Sequence, residues 1–149
     1  MKTQDKPFNL DDFLPYKLSI VSQSVSQLIA PEYERKFGLS MSQWRVLVII
    51  CNSPPLSANE ICDKTRFDKM TVSRAVKALR VRELVGSTLA KSDGRKRLLS
   101  PTNLGHQIYN NVLPIALSYE KTLLSALSDS EKKGLETTLN KLLQKITSL

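Results

Sequence analysis

Thr71, Ser73, Arg74, Lys77 and Arg80 alternate with Val72, Ala75, Val76 and Leu79 at helical spacing. The spacing predicts a helix over roughly residues 69–83, with an apolar stripe to anchor it and a polar, cationic outer face. Hydroxyl, guanidinium and ammonium groups on such a face suit base edges and phosphates in a major groove. Downstream, Asp93-Gly94 separates two β-capable runs, residues 85–90 and 97–100, which is a hairpin signal. Its tip carries Lys91, Asp93, Arg95, Lys96 and Arg97, cations suited to phosphates or a narrow minor groove. With Lys69 at the helix start and Ser57 heading the preceding short helix, these are the candidate DNA-binding residues. The alternative is a generic three-helix bundle with a solvated basic face. A basic hairpin directly after a basic helix speaks against it.

Other chemistries find less support. His106 is the only histidine, and Cys51 and Cys62 do not stand at metal-ligand spacing, so no metal site is expected. No Gly-x-Ser-x-Gly, no phosphate-cradling glycine loop and no histidine beside a nucleophile occur. Catalytic residues and a cofactor are therefore not expected, and an enzyme is not the reading. Cys51 lies on the Trp44–Leu47–Cys51 stripe and reads as core. The rival use of Cys51 and Cys62 is oxidant sensing, which would make the chain a thiol-based redox-sensing DNA-binding regulator.

Charge placement agrees with a polyanion partner. The chain has 149 residues, one domain's worth, and a net charge of +8. Eleven of its 22 Lys and Arg residues, but three of its 14 Asp and Glu residues, fall between Lys64 and Arg97. That window carries the whole excess, and the rest of the chain balances to zero. Nucleic acid or an anionic membrane surface would match it. No run of 18 apolar residues occurs, so a spanning helix is not expected. Residues 1–12 hold five charges and no apolar run, unlike a secretory signal. Two cysteines fit a reducing cytoplasm.

The elements that must position these residues read as mostly helical. A first helix should start near Asp11 or Asp12, with a seam at Leu14, Leu18, Val21, Val25 and Leu28. Pro31 should kink or restart it, and Gly38 should stop it. Ser40–Gln43, Ser57–Glu60 and Ser128–Glu131 are capping boxes that open later helices. Asp68 caps the basic helix, and Thr102 caps a long one with a kink expected at Pro114. Leu135, Leu139, Leu142, Ile146 and Leu149 form a second seam at the other end of the chain.

The runs Leu39-Ser40-Met41-Ser42-Gln43-Trp44-Arg45-Val46-Leu47 and Asp68-Lys69-Met70-Thr71-Val72-Ser73-Arg74-Ala75-Val76 resemble the MarR (multiple antibiotic resistance regulator) family. The wing residues Asp93, Arg95, Leu99, Thr102 and Gly105 follow that family's pattern, with Pro101 where a leucine is usual. Pro101 should end the second wing strand a residue early. The resemblance covers about Leu14 to Ile146. It implies a fold that is mainly α with a small β-hairpin wing: a winged helix-turn-helix over residues 40–101, and dimerisation helices at 11–37 and 102–149, in one domain spanning 1–149. It implies a homodimer on a palindromic double-stranded operator, with Arg95 in the minor groove, Asp93 orienting the wing, and Lys69 to Lys77 in the major groove. The two apolar seams fit dimerisation independently, with packing inside one chain as the alternative. Members commonly respond to small aromatic acids, and Tyr16, Ser19, Trp44, Arg45, His106 and Tyr109 lie on the helices that wall such a pocket. A guanidinium beside aromatic rings suits a flat carboxylate, although Arg45 can equally be an exposed ion-pairing residue. A repressor of nearby genes is the expected role, without a membrane partner.

Overall fold

The computed structural model describes residues 7–149. Most of the leading charged stretch, residues 1–6, lies outside the described residues. The elements in order are α1 (Leu14–Phe37), α2 (Met41–Asn52), α3 (Ala58–Thr65), α4 (Lys69–Val81), β1 (Val85–Leu89), β2 (Arg97–Pro101), α5 (Asn103–Leu124) and α6 (Asp129–Thr147). This is a mainly helical winged helix-turn-helix. The chain forms two compact units, one ending at Val112 and the other covering Leu113–Leu149.

The beginning departs from expectation. Asp11 and Asp12 belong to a 3-10 turn, residues Leu10–Asp12, capped by the Asn9 side chain on the Asp11 N–H. The α-helix starts only at Leu14, where Pro15 in the first turn lacks an N–H that the helix could not use there. Pro31 does not restart the helix, which is unbroken from Leu14 to Phe37. One lost backbone donor is tolerated because the turns on either side are strong enough to carry the segment. Gly38 stops it in the left-handed region at φ 63°, where its N–H donates to the Glu34 carbonyl.

In the first unit α2, α3 and α4 pack on one another. Leu47 and Ile50 of α2, Ile61 of α3, and Val72 and Leu79 of α4 are fully buried. Each such side chain contributes about 1.5–3 kcal/mol on leaving water. Leu39, Val46, Leu84 and Val112 are fully buried as well.

The hairpin is antiparallel, from Val85 opposite Pro101 to Leu89 opposite Arg97. The strand does not end early at Pro101. Thr102 donates its N–H to the Leu84 carbonyl, so the next pair inward, Val85 and Pro101, is a non-hydrogen-bonded pair. The missing donor of Pro101 points away from β1, and the ladder never asks for it. The outward backbone of β2 is used two residues earlier: Leu56 and Leu99 exchange N–H···O bonds of 3.0 and 2.7 Å. Leu56 thereby ties the α2–α3 link to the wing.

Thr102 joins the wing to α5. Its hydroxyl donates to the Glu83 carbonyl at 2.6 Å and accepts the Gly105 N–H at 3.0 Å. A Cβ at Gly105 would lie 2.0 Å from the Leu84 carbonyl oxygen. Only glycine lets α5 start this close to the chain entering β1. α5 then runs unbroken through Pro114. In the second unit, α6 opens on the Ser128–Glu131 capping box.

Candidate nucleic-acid interface

Each helix of the helix-turn-helix opens on a side-chain cap, the first of them reciprocal. Ser57 accepts the Glu60 N–H at 3.3 Å, and its own N–H donates to Glu60 Oε2 at 2.7 Å. Ser57 is buried, so its hydroxyl belongs to the start of α3. Donation from the Ser57 backbone, then its side chain, holds the Glu60 carboxyl below the ordinary range, and the positive fields of Lys96 and Lys64 add to this.

The turn between the helices is tight. Arg66 is left-handed at φ 58° and donates its N–H to the Cys62 carbonyl. The Thr65 hydroxyl donates to the Ile61 carbonyl at 2.7 Å and accepts the Phe67 N–H at 3.2 Å. Asp68 then caps α4, accepting the Thr71 N–H at 2.7 Å and the Thr71 hydroxyl at 3.0 Å. These two bonds, backbone first, hold the Asp68 carboxyl low. The hydroxyl proton of Thr71 is thus engaged by the cap, leaving its oxygen as an acceptor.

α4 shows two faces. Val72, Ala75 and Leu79 are buried, while Lys69, Ser73, Arg74, Lys77 and Arg80 are exposed. Lys69, Ser73, Lys77 and Arg80 also line a 660 Å³ groove with Ala58 and Asn59 of α3. Three cations along a concave surface between two helices suit a chain of phosphates.

At the wing, Lys91, Asp93, Arg95, Lys96 and Arg97 are all exposed. Asp93 organises the tip: its Oδ1 accepts the Arg95 N–H and its carbonyl accepts the Lys96 N–H, both at 3.0 Å. Ala90 closes the loop on the Lys96 carbonyl at 2.8 Å. The side chains of Arg95 and its neighbours are thereby carried outward on a short, braced turn.

Arg82 is a member of the basic window with another task. Its guanidinium donates to the carbonyls of Phe37 at 2.7 Å and Gly38 at 3.0 Å. No spacing in the sequence signals this pairing. The helix stop at Gly38 signals only that carbonyls there need donors.

The aromatic residues divide. Trp44 is buried between Tyr33, at 5.7 Å between ring centroids, and Tyr109, stacked at 6.0 Å. Tyr109 donates its hydroxyl to Asn52 Oδ1 at 3.1 Å. Arg45 is exposed and lies 6.0 Å over the Phe67 ring instead. Tyr16 is half-buried and Ser19 exposed on α1, and His106 is exposed on α5. Tyr33 and Phe67 were not among the sequence candidates, and their aromatic character is the only signal that could have found them. Cys51 is half-buried, and burial pushes its thiol up to about 11, which disfavours the thiolate that oxidant sensing requires. Among the described residues no helix is long and apolar enough to cross a membrane.

Comparisons agree with this architecture. A family model described as MarR family matches residues 37–96. A MarR/EmrR family transcriptional regulator from Acinetobacter sp. ADP1 is 26% identical, with a TM-score of 0.88 over 95% of this chain and 100% of that one. Bordetella bronchiseptica BpsR, a structure concerned with regulation of DNA binding by 6-hydroxynicotinic acid, has a TM-score of 0.85 at 20% identity. It covers 92% of this chain and 97% of its own, and shares the fold. The HTH-type transcriptional regulator YwoH of Bacillus subtilis, itself uncharacterised, is 28% identical over 77% of this chain and 83% of its own.

Proposed function

We propose that the chain is a winged helix-turn-helix transcriptional regulator of the MarR family, a homodimeric repressor of nearby genes released from a palindromic operator by a small aromatic carboxylate. The observation that carries DNA recognition is the two-faced α4: a buried apolar stripe behind an exposed row of Lys69, Ser73, Arg74, Lys77 and Arg80. That face enters a major groove, with residues 40–101 as the reading head. Arg95, on its braced tip, reaches a minor groove.

Dimerisation is assigned to helices within residues 11–37 and 102–149 of one domain. The support is exposed apolar surface. On α1, Leu14, Val21 and Leu28 are each at least 58% exposed, and on α6, Leu135, Leu139, Leu143 and Ile146 are all exposed. Such surface favours burial against a second copy. The effector reading rests on the stacked Trp44 and Tyr109, with Arg45 next to Trp44 on α2, and on the regulation of BpsR DNA binding by 6-hydroxynicotinic acid, an aromatic carboxylate. The regulator works in the cytoplasm.

Selection from random duplexes, followed by footprinting of the selected site, tests this. The expected result is two inverted half-sites about one helical turn, ~10 bp, apart. A single half-site, or equal affinity for scrambled duplex, overturns it.

A further inference from the structure

We propose that Met70 reads thymine, its thioether chain lying against the 5-methyl group of one thymine in each half-site. The inference rests on the entry of α4 into a major groove proposed above, to which it adds a specificity-determining residue and the base it selects.

Met70 is the second residue of α4, just inside the Asp68 cap, and it is 62% exposed. Val72, Ala75 and Leu79 mark the buried side of the helix. Leu79 follows Met70 by about two and a half turns, so the two side chains point in opposite directions. Lys77, about two turns along, shares the outward line of Met70, and Ser73 and Arg74, about one turn along, flank that line on either side. The cationic face is therefore led by an apolar side chain at its centre. In helix-turn-helix proteins the first residues of this helix are the ones that reach base edges.

A row of phosphates has no use for Met70, since a thioether has no donor and accepts only weakly. The major-groove edges of the bases offer it one apolar group, the thymine 5-methyl. Laid over any other part of a base edge, it would take water from a donor or acceptor and give no hydrogen bond back. Contact thus favours thymine twice, by burying two apolar groups against each other and by penalising pairs that lack the methyl. The flexible methionine chain can adjust to meet it. The same methyl stands on 5-methylcytosine, and the neighbours of Met70 decide between the two. Thymine carries an acceptor, O4, beside its methyl, whereas cytosine carries an amino donor there. Arg74 and Lys77 have donors only, so they complement thymine and oppose cytosine, while the Ser73 hydroxyl can do either.

Replacing the thymines of the selected operator one at a time by deoxyuridine removes a single methyl and leaves the pairing intact. Affinity is read by fluorescence anisotropy at one fixed salt concentration. The wild type should lose about fourfold at one thymine in each half-site, the worth of one buried methyl. Met70→Gln should bind the thymine and uracil duplexes alike at that step, and Met70→Leu should keep most of the difference. Val81, 77% exposed at the far end of the same helix, supplies the control: Val81→Gln should leave the difference in place. At the same step the wild type should bind thymine·adenine more tightly than 5-methylcytosine·guanine. Thermal melts confirm that the variants fold. A loss on uracil substitution that survives in Met70→Gln, or a selected site indifferent to every thymine methyl, overturns the proposal while leaving α4 in its groove. Binding of 5-methylcytosine as tight as that of thymine overturns the choice of base. Equal affinity for scrambled duplex overturns both readings.

Discussion

Arg82 donates from Nη2 to the Phe37 carbonyl at 2.7 Å, so the last turn of α1 is held by the residue that closes α4. The second donor, to Gly38 at 3.0 Å, makes the clamp two-pronged. It satisfies carbonyls that the end of α1 leaves without helical partners. Because α4 carries the exposed row of Lys69, Ser73, Arg74, Lys77 and Arg80, the clamp fixes that row to α1 as well as to its own core.

Arg82→Ala should cost about 1 kcal/mol, the net worth of exposed charge-assisted bonds. Arg82→Lys should recover only part, since an ammonium cannot span two carbonyls as a planar fork does. Urea denaturation measures both. An Arg82→Ala midpoint equal to wild type would show the clamp to be idle.

Gly105→Ala should be among the costliest single changes in the chain. Its Cβ would meet the Leu84 carbonyl at 2.0 Å, and backbone on both sides leaves little room to move. Overpacking of this kind costs about 3 kcal/mol. Gly134→Ala, where no atom lies within 4 Å of the added Cβ, is the control and should be neutral or stabilising. Equal melting temperatures for the two variants would contradict the close approach.

Arg95→Ala should weaken operator binding while leaving the melting temperature unchanged, because the side chain is exposed and Asp93 braces the tip through the Arg95 backbone. Loss of one phosphate contact should flatten the slope of log affinity against log salt by about 0.9. If affinity falls while the slope stays, Arg95 contacts a base edge or sugar rather than a phosphate. An unchanged affinity removes it from the interface.

Acid should loosen the helix starts. The Asp68, Glu60 and Glu131 carboxyls are all held below their ordinary range by hydrogen bonds from the residues they cap. A carboxyl lowered in the folded state gives stability that is complete above its unfolded value, ~4, and is lost as pH falls through the folded one. Asp68→Asn keeps a capping oxygen but does not titrate. Its melting temperature should therefore fall less steeply than that of the wild type between about pH 5 and pH 2. Parallel curves would mean that the cap works without its charge.

What the sequence determined by itself is local. Ser40, Ser57, Asp68 and Ser128 each cap a helix three residues away from their partner, and the stripe of Val72, Ala75 and Leu79 repeats within one helix. Such interactions are complete within a turn or two, so residue type and spacing announce them. The Asp93 turn is legible for the same reason. The tertiary structure alone decided that Arg82 serves carbonyls 44 and 45 residues earlier, and that Tyr109 reaches Asn52 across 57 residues. It also decided that Arg45 turns to Phe67 while its neighbour Trp44 stacks on Tyr33 and Tyr109. Successive residues on a helix point about 100° apart, and which packed neighbour each one meets depends on how the elements dock. Pro101 shows the same limit in a strand. Whether its missing N–H matters depends on the pairing phase with β1, and that phase is set by Thr102 donating to Leu84.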